Sequence, residues 1–347
     1  FLLLFYEAHF PGDAEGYWYQ PIFQNYSFME SISPTNLNSR NMFFIVQSYN
    51  KIVPDVLKES FHSLKISFSM LGLIAVYIFY RTSVLITKKE NRMYFWFLIL
   101  FPSLLVYASR IGKECIMVFG MALYVLGLVG WHYKRRAGYN ILIAFIGLLL
   151  CTYIRPWLAP VLLGALCIYF LSANKNFLTK VFCMSLTILL TLPIYNLLLS
   201  KFKVKDMAEA TKYLGVVANN MSKGGSKIER EPIVINGPLD AIKFAPFGVF
   251  TALFRPLPGD VKSLLGLLSG VEGLILLYLF LIAVKRTQMH EIKDPIVIWA
   301  ISLVLLWALL YGFAIQNFGT GIRWRTQILP VFIGLLFYLG RHRQKVT

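Results

Sequence analysis

Two acidic residues near the start of the chain are followed at once by three aromatic rings. Asp13 and Glu15 are two residues apart, and Tyr17, Trp18 and Tyr19 come directly after them. In an extended loop, side chains two residues apart point the same way, so both carboxylates would face one ligand. A carboxylate can act as general base on a sugar hydroxyl, while aromatic faces stack on sugar rings. The pattern therefore gives two candidate catalytic acids and three candidate sugar-stacking rings. The alternative is a solvated acidic loop above an aromatic belt.

A second charged segment lies between two apolar runs. Arg110, Lys113 and Glu114 place three charges within five residues. Arg110 and Glu114 are four residues apart, so we expect them to pair on one face of a helix. Lys113 would then be available to bind an anion. The alternative is a mutually neutralising structural group with no ligand.

Further arginines follow the same pattern of lying beside apolar stretches. Arg323 and Arg325 stand in a glycine-containing segment, Arg155 precedes a Pro-Trp pair, and Arg255 lies within Phe-Arg-Pro-Leu-Pro. Guanidinium groups donate two hydrogen bonds at once to phosphate oxygens, so Arg323 and Arg325 could clamp a phosphate. The alternative for them is anchoring to lipid headgroups. Taken together, the cations predict a site for an anionic, membrane-borne ligand such as a lipid diphosphate.

Glu272 lies within an apolar stretch, where an unpaired charge is expensive. It could pair with one of these arginines if its span begins with a broken turn at the glycines, and a structural hydrogen-bond role is favoured over a catalytic one. The two acids at 13 and 15 permit a divalent cation but do not require one, so the identity of any metal stays open. The four cysteines show no CxxC spacing and are interpreted as small apolar core residues.

The composition identifies the elements that must position these residues as membrane spans. Hydrophobic residues make up 57% of the 347, charged residues 15% and aromatic residues 16%, with a net charge of +17. Soluble domains average about 45–50% apolar and about 25% charged residues. These values exclude an ordinary soluble enzyme, a disordered chain and a disulfide scaffold. We predict an all-α polytopic bundle forming a single membrane domain over residues 1–347.

Ten spans are predicted from apolar runs, several of them shorter than the about 20 residues of a full span. They cover 1–10 (partial), 64–80, 93–108, 115–131, 140–153, 156–172, 181–199, 262–284, 295–315 and 327–340. Fifteen basic residues fall in five short connections or ends on one side, against five on the other. The positive-inside rule therefore places both termini in the cytoplasm. Net positive charge on cytoplasmic loops needs no nucleic-acid partner.

Two longer segments, 11–63 and 200–261, are predicted to lie on the non-cytoplasmic side. Within the second, Phe244, Phe247, Phe250 and Phe254 recur at helical spacing. This stripe suits either an interfacial helix, with Pro246 in its first turn, or a helix packed on the bundle. We also predict a mobile loop over 219–231.

The order of these features resembles a group of bacterial membrane proteins. An acidic segment follows the first span, then come Pro-Ser…Ser-Arg-Ile-Gly-Lys-Glu at 102–114, Phe-Arg-Pro-Leu-Pro at 254–258 and Asn-Phe-Gly-Thr-Gly-Ile-Arg-Trp-Arg at 317–325. This layout is similar to that of multi-spanning proteins of polysaccharide gene clusters, which resemble GT-C-type glycosyltransferases and O-antigen polymerases. The chain lacks the Asp-Glu dipeptide of well-marked GT-C enzymes.

The resemblance implies a bacterial inner-membrane protein that takes sugar from a polyprenyl-phosphate or polyprenyl-diphosphate donor on the non-cytoplasmic face. In GT-C enzymes an acid of the first outer loop acts on the acceptor, which here implies Asp13 or Glu15. In the polymerases outer arginines hold the lipid diphosphate, which here implies Arg110, Arg155, Arg255, Arg323 and Arg325. Two alternatives stay open: a transporter or flippase of lipid-linked sugars, and a non-catalytic subunit of a membrane complex. No P-loop is present, which argues against an ATP-driven pump.

Overall fold

The described part of the chain is helical, as the sequence predicts. The computed structural model describes residues 12–32, 39–58, 60–133, 137–173, scattered positions between 176 and 196, 238–261, 264–315 and 317–341. Within these ranges there is no β-strand. The helices, numbered in chain order, are α1 (Gly12–Phe23), α2 (Phe28–Ile32), α3 (Arg40–Ile52), α4 (Phe61–Thr87), α5 (Arg92–Leu100), α6 (Pro102–Tyr107), α7 (Lys113–His132), α8 (Ala137–Ile154), α9 (Ala159–Ala173), α10 (Pro238–Phe254), α11 (Leu264–Arg286), α12 (Met289–Ile292), α13 (Pro295–Gly312), α14 (Phe318–Arg325) and α15 (Leu329–Gly340).

Six helical segments among the described residues are long and apolar enough to cross a membrane. They are Phe61–Thr87, Lys113–His132, Ala137–Ile154, Pro156–Ala173, Gly266–Arg286 and Pro295–Gly312. Each coincides with a predicted span: 64–80, 115–131, 140–153, 156–172, 262–284 and 295–315. Apolar side chains stay exposed along several of them, including Phe145, Leu149 and Tyr278. The chain is therefore a membrane protein with at least these candidate spans.

The other four predicted spans have different outcomes. Span 327–340 corresponds to α15, an apolar helix of 12 residues. Span 1–10 and most of 181–199 lie outside the described residues, as does the predicted mobile loop 219–231. Predicted span 93–108 is divided between two short helices, α5 and α6, and that this segment crosses the membrane stays a prediction. The total of ten spans stays a prediction.

The break between α5 and α6 has a local cause. Phe101 has an extended backbone, with ψ of 115°, and Pro102 is the first residue of α6. A proline ring disfavours helical geometry at the residue before it and has no N–H to donate. Phe101 and Leu104 are buried on either side of the break. A new helix therefore begins at Pro102, although the residues on both sides of the break are apolar.

The chain divides into two compact units, and each is described here by itself. The first unit comprises Phe1–Thr82 and Phe95–Pro156, and the second comprises Ser83–Tyr94 and Trp157–Thr347. In the first unit α1 and α2 pack on α3, α3 contacts α8, and α7 packs closely against α8. In the second unit α13 packs on α9, α10 and α15, and α11 packs on α15.

Glycines allow α7 and α8 to approach closely. A Cβ on Gly147 would overlap the backbone nitrogen of Tyr124, and one on Gly127 would overlap the backbone of Ala144. Close backbone approach through small residues is a common way for membrane helices to pack. The same contact buries the thiol of Cys151, and Cys115 is also buried and free. Cys167 is half-buried, and Cys183 lies outside the described residues.

The phenylalanine stripe of 239–254 belongs to α10, which packs within the second unit. Phe244 contacts Phe313 with ring centroids 5.4 Å apart, and Phe254 contacts Phe280 at the same distance. Of the two alternatives, packing on the bundle is therefore confirmed. Pro246 lies inside the helix and not in its first turn, because α10 begins at Pro238.

Candidate functional site

The acidic pair lies on a helix, so the expectation of an extended loop is wrong. Asp13 and Glu15 are exposed residues in the first turn of α1. Acidic residues favour the first turn because they complement the positive end of the helix dipole. Ala14, Tyr17 and Trp18 are buried at helical spacing and fix the inner face of α1. Residues two apart on a helix differ by about 200° in direction, so the two carboxylates point to different sides.

The three aromatic residues after the acids differ in exposure. Tyr17 packs on Phe43 with ring centroids 6.0 Å apart, and Trp18 packs edge-on against Phe61 at 6.1 Å. Both residues are at most 7% exposed, whereas Tyr19 is 49% exposed. Within the group predicted to stack on sugar, the rings of Tyr17 and Trp18 therefore serve the protein core. Tyr19 keeps a ring that a ligand can reach.

Glu114 forms a buried ion pair, but with a partner that the sequence spacing does not suggest. Its Oε1 accepts a hydrogen bond from Nη2 of Arg155 at 2.8 Å, and both side chains are at most 6% exposed. Arg110 lies in a bend before α7 begins at Lys113. Arg110 and Glu114 therefore do not share a helix face, and that part of the prediction is wrong.

The position of this ion pair follows from the two helices that carry it. Glu114 lies in the first turn of α7, where a helix dipole favours an anion, and Arg155 directly follows α8, where it favours a cation. Asn41 of α3 donates from Nδ2 to the last carbonyls of α8, Tyr153 at 3.0 Å and Ile154 at 3.1 Å. Asn41 of segment 11–63 thus caps the end of α8 immediately before Arg155.

Two further cations lie near this pair in the sequence. Arg110 and Lys113 are half-buried and stand on either side of Gly112, the N-cap of α7, which has no side chain to cap the helix. Backbone N–H groups at a helix start favour anions. The start of α7 therefore groups cationic side chains with a helix N-terminus.

In the second unit Arg255 is bound by a carboxylate that the sequence reading does not include. Its Nε donates to Asp260 Oδ2 at 2.9 Å and its Nη2 donates to Oδ1 at 2.5 Å. The backbone N–H of Leu257 donates to the same carboxylate at 2.7 Å. The hydrogen bond from the Arg255 guanidinium holds the pKa of Asp260 below its ordinary value. The guanidinium also lies 5.1 Å from the ring of Phe318.

Arg325 is fully buried and pairs with Glu272, although the broken turn expected at the glycines is absent, since α11 runs from Leu264 to Arg286 without a break. Arg325 Nη2 lies 3.8 Å from Glu272 Oε2, and both side chains are at most 3% exposed. Nη1 of Arg325 donates to the carbonyl of Leu253 at 3.1 Å and to that of Arg255 at 3.2 Å. The guanidinium therefore stabilises the carbonyl end of α10 and neutralises a carboxylate of α11.

The segment 317–325 does not form a two-arginine clamp. Asn317 caps α14 by accepting a hydrogen bond from the Thr320 N–H at 3.2 Å, so the glycine-containing segment is helical. Arg323 and Arg325 are two residues apart on this helix and point to different sides. Arg325 is fully buried and Arg323 is half-buried. Of the two, Arg323 is the one a ligand can reach.

The six predicted cations differ in burial. Arg155 and Arg325 are buried, whereas Arg110, Lys113, Arg255 and Arg323 are half-buried. Ion pairs join Arg155 to Glu114, Arg255 to Asp260 and Arg325 to Glu272. That all six line one cavity stays a prediction.

The sequence analysis did not identify two polar residues of these sites: Asp260, which pairs with Arg255, and Asn41, which caps the helix end before Arg155. Asp260 follows Arg255 by five residues across two prolines, and a carboxylate at that distance could have been identified as its partner. Asn41 has no such signal, because its contact with α8 spans more than a hundred residues.

We also searched the described residues for groups that could hold a metal ion and compared the chain with known proteins. Within the described ranges no group of three or more His, Cys, Asp or Glu side chains is arranged to hold a metal ion. Comparison of the chain with protein-family models, curated proteins and solved structures finds no match. The function is therefore inferred from this chain's own residues.

Proposed function

We propose that the protein is an integral-membrane glycosyltransferase or polysaccharide polymerase that takes sugar from a polyprenyl-(di)phosphate donor on the non-cytoplasmic face of the bacterial inner membrane. The observation that supports it is the grouping of two half-buried cations, Arg110 and Lys113, at the start of α7. The buried pair of Glu114 and Arg155, with 2.8 Å between its charged atoms, lies beside them. Cations grouped at the start of an apolar helix suit a lipid phosphate.

In this proposal the cations have separate tasks. Arg110 and Lys113 of the first unit, which are half-buried, contact the phosphates of the carrier. Arg155, Arg255 and Arg325 position the helix ends through their ion pairs. Cations that contact a phosphate stabilise the negative charge that develops as the carrier leaves.

A carboxylate of α1 acts as general base on the acceptor hydroxyl. The proton moves from that hydroxyl to Asp13 or Glu15, the acceptor oxygen bonds to the anomeric carbon, and the carrier leaves with its phosphate. Both acids are exposed, so a hydrated acceptor can reach them. Because the two carboxylates point to different sides of α1, only one of them acts as the base on a given acceptor.

The alternative function, a transporter of lipid-linked sugars, is supported by the buried pair of Glu272 and Arg325. Glu272 lies eight residues into α11, about 12 Å along the helix, and its pair with Arg325 is buried. Paired charges at depth are typical of substrate or ion pathways in transporters.

Reconstituted vesicles distinguish the two functions. We expect purified protein to transfer sugar from undecaprenyl-diphosphate-linked donor to acceptor on one membrane side, and Arg110→Ala with Lys113→Ala to weaken donor affinity by about tenfold or more. Lys58→Ala, which removes an exposed lysine of the same unit, is the control. Movement of intact donor across the bilayer without transfer would replace the enzyme by a transporter.

A further inference from the structure

A group of aromatic side chains in the second unit shares one buried tyrosine. Trp157 donates from its indole N–H to the hydroxyl of Tyr311 at 2.9 Å. The ring of Trp324 lies 5.1 Å from that of Tyr311, and the ring of Trp307 lies 4.7 Å from it on α13. Tyr311 and Trp307 are buried, while Trp157 and Trp324 are half-buried. Two partly accessible indoles are therefore held on one rigid support.

The side-chain amide of Gln327 fixes the orientation of Tyr311. The Tyr311 hydroxyl donates to Gln327 Oε1 at 3.1 Å, and Trp307 Nε1 lies 3.5 Å from the same oxygen. An indole N–H can only donate, so the oxygen of the amide must face it. Gln327 is fully buried, and its Nε2 has no hydrogen-bond partner among the described residues. The cluster thus contains a fixed amide donor as well as rings.

The two outer tryptophans differ from simple membrane anchors. An anchoring tryptophan directs its N–H to water or headgroups and its ring to lipid. Trp157 instead donates its N–H inward to a tyrosine that is 2% exposed. What remains accessible is ring surface. Rigid aromatic surface with a few fixed polar groups is typical of small-molecule sites.

A cation is the neighbour of Trp324 in the sequence. Arg323 precedes Trp324 on α14, so the two side chains are about 100° apart on the helix, and both are half-buried. Aromatic surface suits the C–H face of a pyranose, and a guanidinium suits a phosphate. The two chemistries occur together in a sugar joined to a carrier phosphate.

We infer that Trp157 and Trp324, supported by Tyr311, form a binding subsite for the pyranose ring of a lipid-linked sugar, with Arg323 toward its phosphate. The inference rests on the proposed donor class, and it gives the sugar-stacking role to residues other than Tyr17 and Trp18. It concerns binding and does not depend on whether the sugar is then transferred or transported.

Binding of paired probes tests the subsite. The probes are undecaprenyl diphosphate bearing glucose, galactose or N-acetylglucosamine, each compared with bare undecaprenyl diphosphate by isothermal titration of the detergent-solubilised protein. We expect at least one sugar-bearing probe to bind about tenfold more tightly than the bare carrier. In Trp324→Ala this ratio falls to about one, while affinity for the bare carrier is unchanged.

Three further variants make the result specific. Trp324→Phe keeps an aromatic face and should retain most of the ratio. Trp96→Ala removes an exposed tryptophan of α5 in the first unit and should leave the ratio intact. Arg323→Ala should weaken the sugar-bearing and bare probes alike.

Three outcomes would overturn the inference. The first is the absence of any sugar-dependent gain in the wild-type protein. The second is a ratio that survives in Trp324→Ala with both affinities unchanged, while that variant keeps the wild-type melting temperature. The third is an equal loss of affinity for the sugar-bearing and bare carriers in Trp324→Ala, which would make Trp324 a lipid anchor. A sugar-dependent gain in a protein that shows no transfer would leave the subsite standing and remove the transferase proposal.

Discussion

The buried pair of Glu114 and Arg155 joins the start of α7 to the end of α8. Removal of one partner leaves the other charge buried without compensation, which costs about 3–5 kcal/mol in comparable pairs. We therefore expect Arg155→Ala to lower the free energy of unfolding by about that amount, measured by denaturant or thermal unfolding in detergent. The double variant Glu114→Gln, Arg155→Met should lose less than Arg155→Ala alone, because no charge stays buried.

An exposed pair of the same unit provides the control. Asp55 and Lys58 are three residues apart in a surface turn, and Asp55 is 89% exposed. Exposed ion pairs contribute little because water and salt screen them. Asp55→Asn should leave the unfolding transition unchanged, and an Arg155→Ala variant as stable as Asp55→Asn would refute the structural role of the buried pair.

Asp260 should make stability depend on pH in the acid range. Its hydrogen bond from Arg255 lowers the native pKa below the ordinary 3.8. A lowered pKa stabilises the native state at neutral pH and loses that contribution as pH falls through the native pKa. We expect Asp260→Asn to cost about 1 kcal/mol at pH 7, since the pair is partly exposed. The melting-temperature difference from wild type should start to shrink near pH 4.

The opposite sign would contradict this account. A difference between Asp260→Asn and wild type that grows as the pH falls below 4 would mean that the native pKa is raised. Glu90→Gln, which changes an exposed acid of the same unit, controls for general acid effects on the protein.

At the level of helices, α7 and α8 depend on the absence of a side chain at Gly147. A methyl group there would overlap the backbone nitrogen of Tyr124. Overpacking of this kind costs about 1–3 kcal/mol, and more where backbone must move. Gly147→Ala should therefore destabilise the protein, measured as a lower melting temperature in detergent.

Gly138 on the same helix is the matched control. No heavy atom lies within 4 Å of a Cβ built there. Gly138→Ala should be neutral or stabilise by up to about 1 kcal/mol, because alanine favours the helix. Equal destabilisation by both substitutions would show that the α7–α8 interface is not packed as described.

Helix existence follows from composition more reliably than helix continuity or side-chain partners. Long apolar runs predicted the spans of α4, α7, α8, α11 and α13. In a membrane such a run must satisfy its backbone hydrogen bonds internally, and a helix does so. Pro102 carried the signal for the break between α5 and α6, but the apolar run through it concealed the break.

Side-chain partners were predictable where charge alone limits the choice. Glu272 needed a cation at its depth, and the chain supplies Arg325. Glu114 had a cation at helical spacing in Arg110, yet the helix begins after that residue and tertiary contact brings Arg155 instead. The exposure of Tyr17 and Trp18 depended on whether their segment was extended or helical, and the turn of helix buried them.

For the whole molecule, the uneven distribution of basic residues predicts which ends of the spans face the cytoplasm. Val56 lies in the first outer segment and is 92% exposed, while Met289 lies between α11 and α13 and is 78% exposed. With a membrane-impermeant maleimide, Val56→Cys should be labelled in intact cells that expose the non-cytoplasmic face. Met289→Cys should be labelled after permeabilisation only. Labelling of Met289→Cys in intact cells would reverse the topology.

Transfer by carboxylate variants in reconstituted vesicles tests the proposed enzyme most directly. General base catalysis contributes about 10²–10⁴-fold, and Asp13 and Glu15 point to different sides of α1. We therefore expect Asp13→Asn to lower turnover from an undecaprenyl-diphosphate-linked sugar by that range, Glu15→Gln to have a much smaller effect, and the double variant to match Asp13→Asn. Both exposed substitutions should leave the protein folded and inserted. Wild-type turnover in the double variant would contradict the carboxylate mechanism.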